Sequence, residues 1–280
     1  MVVSAPTDAA GGGDHRARTR WIAKANTAST MVSWSLLAVW IVMALVSVVV
    51  ASSSETTLGS LASGAKGFVF VVVPAALATT VVGTALGFAS MRFSSGFNRV
   101  SMRVFGLLGG FPTIVFVVLV QASAASRSWW LMVTSLALVR LPHQSRLVRL
   151  HTMQFRASEV SVAAHALGAS SWRVLTVHVL ALIRPLLLHA TLTNMAVLLA
   201  VQSAIAYFGI ATRGATPEEL AARVLTPSWG TQVGVLLGNG EYATMLVPLL
   251  AIALTILGLG IVARASRRTR LEQRLERHCQ

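Results

Sequence analysis

Apolar residues in this chain run in long unbroken blocks rather than alternating at the period of a surface helix or a half-buried strand. Crossing a hydrocarbon core takes about 20 helical residues at 1.5 Å each, and unpaired backbone groups in lipid force such a segment to be helical. Six blocks meet that length: Met31 to Ser52, Gly67 to Ser90, Val104 to Ala122, Trp129 to about Leu147, Pro185 to Ile210 and Ala243 to Ala263. The fourth is the shortest in apolar content, because Arg140, Pro142, His143, Gln144 and Arg146 crowd its C-terminal half. The pattern predicts an all-α polytopic membrane protein of six spans, with a tail over 1–30, a membrane domain over 31–263 and a basic tail over 264–280.

Charge orients these spans. Lys and Arg accumulate in cytoplasmic loops, and with both termini inside, the inner segments hold 19 of the 23 basic residues. Four lie in the N-terminal tail, three at Arg92, Arg99 and Arg103, six from Arg140 to Arg184, and six from Arg264 to Arg277. An odd number of spans would place the Arg-rich C-terminal tail outside. Composition agrees: 55% of residues are hydrophobic and 11% charged, more apolar than a soluble core of 280 residues needs. The net charge of +14 would suit nucleic acid, but the cations lie between apolar blocks instead of forming one basic face.

The ends change little. About 30 mostly polar residues precede the first apolar block, so that block reads as a retained anchor and not as a cleaved signal. Glu272 and Glu276 alternate with arginines at helical spacing in the C-terminal tail, which suits a helix on anionic lipid or a simple topology determinant. Cys279 is the only cysteine, which excludes an intrachain disulfide.

The connection from Arg140 to Arg184 carries helix punctuation. Ser158 can cap a helix whose first turn holds Glu159, Ala163, Ala164, Ala166 and Leu167 continue it, and Gly168 can stop it. Ser170 or Ser171 can cap a second helix that leads through Val174, Leu175, Val177 and Val179 toward the next span. A short helix, a glycine turn and a second helix would make a protruding knob of the kind that another protein grips in a groove.

The run from Glu159 to His178 resembles the "EAA" loop of binding-protein-dependent ABC transporter permeases. Further blocks in matching order resemble the dipeptide, oligopeptide and nickel branch and its C-type subunit. Gly64-Ala65-Lys66 is similar to "GAR", Gly83 to Gly87 to a glycine-rich segment, and Asn98 to Arg103 with Phe111-Pro112 to "DRxxMR…fP". Ala206-Tyr207-Phe208-Gly209 resembles "SFLG", and Thr226-Pro227-Ser228-Trp229-Gly230 matches "TPSWG". The chain departs from the pattern in its short first external segment, Ser53 to Ala65, and at Val162, Ala181 and Gln202. The resemblance implies an importer subunit in the bacterial inner membrane that carries dipeptides or oligopeptides. Its implied partners are a homologous permease, two cytoplasmic ATPases and an extracytoplasmic solute-binding protein. ATP and Mg would be held by the ATPases, with no cofactor on this chain. It also implies an ATPase-coupling role for Glu159, Ala163, Ala164, Leu167, Gly168, Ala169 and Ser170, within a loop of about 148–184. Pro227, Ser228, Trp229 and Gly230 become candidates for binding-protein contact.

Other chemistry lacks its residues. His143, His151, His165, His178 and His189 fall in one region, but no pair has metal-ligand spacing with a carboxylate in support, and Glu159 is the only acid between Glu55 and Glu218. That scarcity also argues against acid–base catalysis, and no Walker-type phosphate loop is present. Polar residues inside spans are expensive, so Asn194 and Gln202 are candidates either for lining a pathway or for bonding between helices. Gly83, Gly87, Gly109 and Gly110 read as close helix-packing positions, and Trp129, Trp130 and Trp229 as boundary aromatics. A stand-alone secondary transporter or channel is the alternative class, disfavoured by the few charges within the spans.

Overall fold

The computed structural model describes residues 31, 35, 38, 57–92, 95–123, 129–156, 158–170, 173–207 and 228–278. Of the expected first span, Met31, Ser35 and Ala38 are helical and the rest lies outside the described residues, as do the N-terminal tail and Pro227. Among the described residues every regular element is helical.

The first long helix, α1, covers residues 57–92 and contains one wide π turn, Phe68–Val72, closed by the Val73 N–H bonding to the Phe68 carbonyl. The helices α2 (Ser95–Gly110) and α3 (Thr113–Ser123) follow, then α4 (Trp129–Arg156) and the short α5 (Glu159–Ala166). A second wide turn, Val174–Val179, runs directly into Leu180–Tyr207, and together these residues form α6. The chain ends in α7 (Trp229–Gly238) and α8 (Tyr242–His278).

Among the described residues three helical stretches are long and apolar enough to cross a membrane: Gly64–Ala89, Leu180–Tyr207 and Tyr242–Ser266. Two expectations need correction. The block Val104 to Ala122 is not one rod, because the helix stops at Gly110 and restarts at Thr113. Pro112 has no N–H to give and its ring clashes with the preceding turn, so the chain bends at Phe111-Pro112 and the Pro112 carbonyl starts α3 by accepting from Phe116 N–H at 3.1 Å. In contrast, α4 continues for 28 residues through Pro142, and the irregular part of the inner connection begins only after Arg156. The tail from Arg264 likewise prolongs α8, whose 37 residues reach about 55 Å at helical rise.

Packing fixes the relative directions. Thr79 Oγ1 donates to the Ala137 carbonyl at 3.1 Å, a Cβ on Gly83 would lie 2.7 Å from Gln144 Cγ, and one on Gly87 would lie 2.9 Å from Val148 Cβ. Both numbers rise together, so α1 and α4 run parallel, with the α4 ridge of Gln144 and Val148 seated in a groove of two glycines one turn apart. Thr80 meets Thr191, and Gln202 meets Gly67, so α6 runs antiparallel to α1. Parallel α1 and α4 require one return crossing between them, which is the place of the bent pair α2 and α3.

Buried Phe68, Val71, Val72, Leu136, Leu198, Leu199 and Leu259 form the main core. A second cluster of Val148, Leu175, Val179 and Ile183, flanked by Phe88 and Phe155, closes the bundle at the end where α5 sits.

Candidate functional site

The knob has the expected helix and glycine stop, while the expected cap residue, Ser158, turns its hydroxyl back to donate to the Phe155 carbonyl at 2.6 Å. The Ser158 carbonyl accepts from Ser161 and Val162 N–H at 3.0 and 3.3 Å, which starts α5 with Glu159 as its first residue. Gly168 has φ +81°, a left-handed conformation that costs a side-chain-bearing residue energy. There the Ala169 N–H reaches back to the Ala164 carbonyl at 3.0 Å, the six-to-one bond of a Schellman turn. Of the two candidate caps, the Ser170 hydroxyl accepts from Arg173 N–H at 3.3 Å, and Ser171 lies outside the described residues. Ser161 is buried, whereas Val162, Ala163 and Ala166 are exposed and Leu167 is 89% exposed. Val162, Ala163, Ala166 and Leu167, at i, i+1, i+4 and i+5 spacing, give the knob one exposed apolar face, the kind of patch that marks a contact surface.

At the other end of the bundle, Ser228 caps α7 by accepting from Thr231 N–H at 3.3 Å. Trp229 is not a boundary aromatic: it is 1% exposed, and its Nε1 donates to the Leu61 carbonyl at 3.2 Å. A Cβ on Gly64 would overlap the indole, and a Cβ on Gly230 would overlap the backbone of Ser203. Ser228, Trp229 and Gly230 are thus all buried and order this corner from within. Along α1, 24 residues separate Gly64 from Phe88, about 36 Å of helix, so corner and knob lie on opposite sides of a bilayer-thick bundle.

Between them lies a polar cluster. Arg140 Nε and Nη2 donate to Asn194 Oδ1 at 3.1 and 2.9 Å, and Asn194 Nδ2 donates to Gln144 Oε1 at 3.4 Å. Asn194 is 1% exposed and Gln144 fully buried, and Gln144 Nε2 has no hydrogen-bond partner. Gln202 Nε2 approaches the Gly67 carbonyl at 3.5 Å beside the first wide turn, and its Oε1 is unpaired. The two expected polar positions are therefore both interior and lie at different depths. In the sequence Arg140 counts only toward the inner charge surplus, and the polar residues around it, Pro142 to Arg146, give no sign that it pairs with Asn194. His189 Nδ1 contacts the Ala263 carbonyl at 2.6 Å, and among the described residues no group of three His, Cys, Asp or Glu could hold a metal.

A family model described as binding-protein-dependent transport system inner membrane component matches residues 79–277. A putative peptide transport system permease protein of Brucella suis biovar 1 is 25% identical over 205 residues, covering 71% of this chain and 64% of the relative. The dipeptide transport system permease protein DppC of Alkalihalophilus pseudofirmus is 25% identical over 185 residues, covering 65% and 57%. The glutathione transport system permease protein GsiD of Pectobacterium atrosepticum is 29% identical over 100 residues, covering 36% and 33%. The chain thus spans less than two thirds of the length of these curated relatives. The family match takes in the knob, the polar cluster and Trp229, and it covers well over half of the 280 residues. On that ground the chain, an all-α membrane protein, belongs to the binding-protein-dependent transport system inner membrane component family of ABC permeases.

Proposed function

We propose that this chain is the C-type permease subunit of an ABC importer for dipeptides or oligopeptides, with six spans and both termini cytoplasmic. It pairs with a homologous permease and lines half of the pathway. Two cytoplasmic ATPases grip the knobs formed by Glu159, Ala163, Ala164, Leu167, Gly168, Ala169 and Ser170, and an extracytoplasmic binding protein delivers the substrate. ATP and Mg belong to the ATPases. Receptor contact is assigned to the surface that Ser228, Trp229 and Gly230 hold in place, with Pro227 at its edge. Asn194 and Gln202, both buried, support the pathway wall from within the bundle.

The observation that carries this reading is the exposed apolar tip, Leu167 beside the left-handed Gly168, on a turn tied to α4 and α6 by the Val148, Leu175 and Val179 cluster. The names of the relatives support the peptide part. Coupling demands that the knob bind the ATPase with different free energy in the two states of the spans, since equal contact in both would shift nothing.

Co-purification tests it. Tagged protein should bring down an ATPase and a second permease, and Leu167→Glu should lose the ATPase while the permease pair persists. Absence of any ATPase, together with full uptake in Gly168→Trp, would sink the reading. Uptake driven by an ion gradient without ATP would favour a secondary transporter.

A further inference from the structure

We propose that Arg140, Asn194 and Gln144 form a carboxylate-binding subsite in the knob-side half of the pathway, one that receives the carboxylate of a short peptide. The argument begins from proton direction. Arg140 can only donate, so the oxygen of Asn194 must turn toward it. That places Nδ2 of Asn194 toward Gln144, whose Oε1 must accept, and Gln144 Nε2 is left pointing away without an acceptor. The chain of three side chains therefore ends in a surplus donor and carries one positive charge.

Among the described residues no acid is paired with that charge. Between Glu55 and Glu159, and again between Glu159 and Glu218, there is no Asp or Glu, so α1 to α4 and α6 present none to the cluster. A guanidinium drawn out of water and facing only a neutral amide oxygen remains under-compensated. An arriving carboxylate supplies charge and acceptors together, and charge-assisted bonds to a guanidinium are among the strong ones. Arg140 is only half-buried and keeps Nη1 outside its bonds to Asn194, so an approach edge remains. Gln144 packs against Gly83, five residues along α1 from Phe88 of the knob-side cluster, which sets the depth. With no resident counter-ion, the site can release what it holds, as a conduction path requires. The substrate's identity as a peptide rests on the proposed function; the carboxylate chemistry rests on the cluster.

The test uses the full chain in its assembled transporter in nanodiscs, with phenylglyoxal modification of Arg140 followed by mass spectrometry. Alanyl-alanine at about ten times its Kd should slow modification of Arg140 by about tenfold, because only the unliganded fraction reacts. Alanyl-alanine amide should leave it nearly unchanged, as should either probe at the exposed Arg103 and Arg173. Asn194→Asp supplies the missing carboxylate internally: the protein should accumulate as wild type, Arg140 should react more slowly without any probe, and alanyl-alanine should add no protection. Equal effects of acid and amide, no effect of either, or wild-type protection in Asn194→Asp would overturn the subsite. So would an Arg140 that reacts in the isolated chain but not in the probe-free assembled transporter, which would assign the acceptor to the partner permease. Because the readout is protection and not uptake, selective protection in a chain that brings down no ATPase would end the importer reading and leave the subsite standing.

Discussion

Trp229 Nε1 donates to the Leu61 carbonyl oxygen across 168 positions of sequence, and the same indole occupies the space that a Cβ on Gly64 would need. One ring thus fixes α7 against the beginning of α1. Removing it takes away a fully buried aromatic, worth about 3–5 kcal/mol in comparable truncations, so Trp229→Ala should lower the thermal midpoint of detergent-purified protein sharply. Trp229→Phe keeps most of the volume and loses only the hydrogen bond, about 1 kcal/mol. A Trp229→Ala protein as stable as wild type would mean that the corner is not held this way.

Glycines separate into two classes that a substitution series can read. Gly230→Ala meets the Ser203 backbone and Gly83→Ala meets the buried Gln144, so each should reduce accumulation of folded protein by overpacking, about 1–3 kcal/mol. Gly110→Ala meets nothing within 4 Å and should leave accumulation unchanged. Fluorescence-detected size exclusion on tagged variants would rank them, and a harmful Gly110→Ala beside a harmless Gly230→Ala would contradict the packing described.

Much of this was legible in the chain and some was not. Gly83 and Gly87 announced close approach because they sit one turn apart in an apolar block, and they do pack on Gln144 and Val148. Gly109 and Gly110 carry the same local signal, yet Gly110 faces open space and Gly109 only the end of Arg146 at 3.9 Å, because α2 is short and ends there. The Gly168 stop and a serine cap followed from local chemistry. Trp229 looked like a boundary residue since its partners, Leu61 and Gly64, are remote in sequence. Arg140 was hidden for the same reason, its partner Asn194 being 54 positions away.

Gly168→Ala forces a Cβ into a left-handed conformation at φ +81°, with no neighbour to obstruct it. The cost, about 1 kcal/mol, should fall on the turn alone. Substrate-stimulated ATPase activity of the assembled transporter should therefore drop while thermal stability of the permease holds. Leu167→Ala should act likewise, as its side chain touches almost nothing within the chain. Equal loss of stability and stimulation would place the knob's role inside the fold.

Thr80 and Thr191 share a 2.8 Å contact, and each hydroxyl is also within reach of its own helix, at the Ala76 and Leu187 carbonyls. Two hydroxyl protons cannot fill three bonds, so one contact is always given up. Thr80→Val should for that reason cost well under the usual 1 kcal/mol or so of a buried hydrogen bond, because Thr191 keeps the Leu187 carbonyl. A loss of several kcal/mol in denaturant titration would refute this accounting.

The wide turn Val174–Val179 inserts one residue more than a regular turn between Ser170 and the rest of α6. Each residue of an α-helix advances the winding by about 100°, so side chains beyond the insertion face a different bearing from those an uninterrupted helix would present. The compass direction of Asn194 relative to the tip at Leu167 is thus set by a single extra residue. Deleting one position within 174–179 would turn the whole Leu180–Tyr207 rod against α4 and α8 while leaving every one of its residues in place.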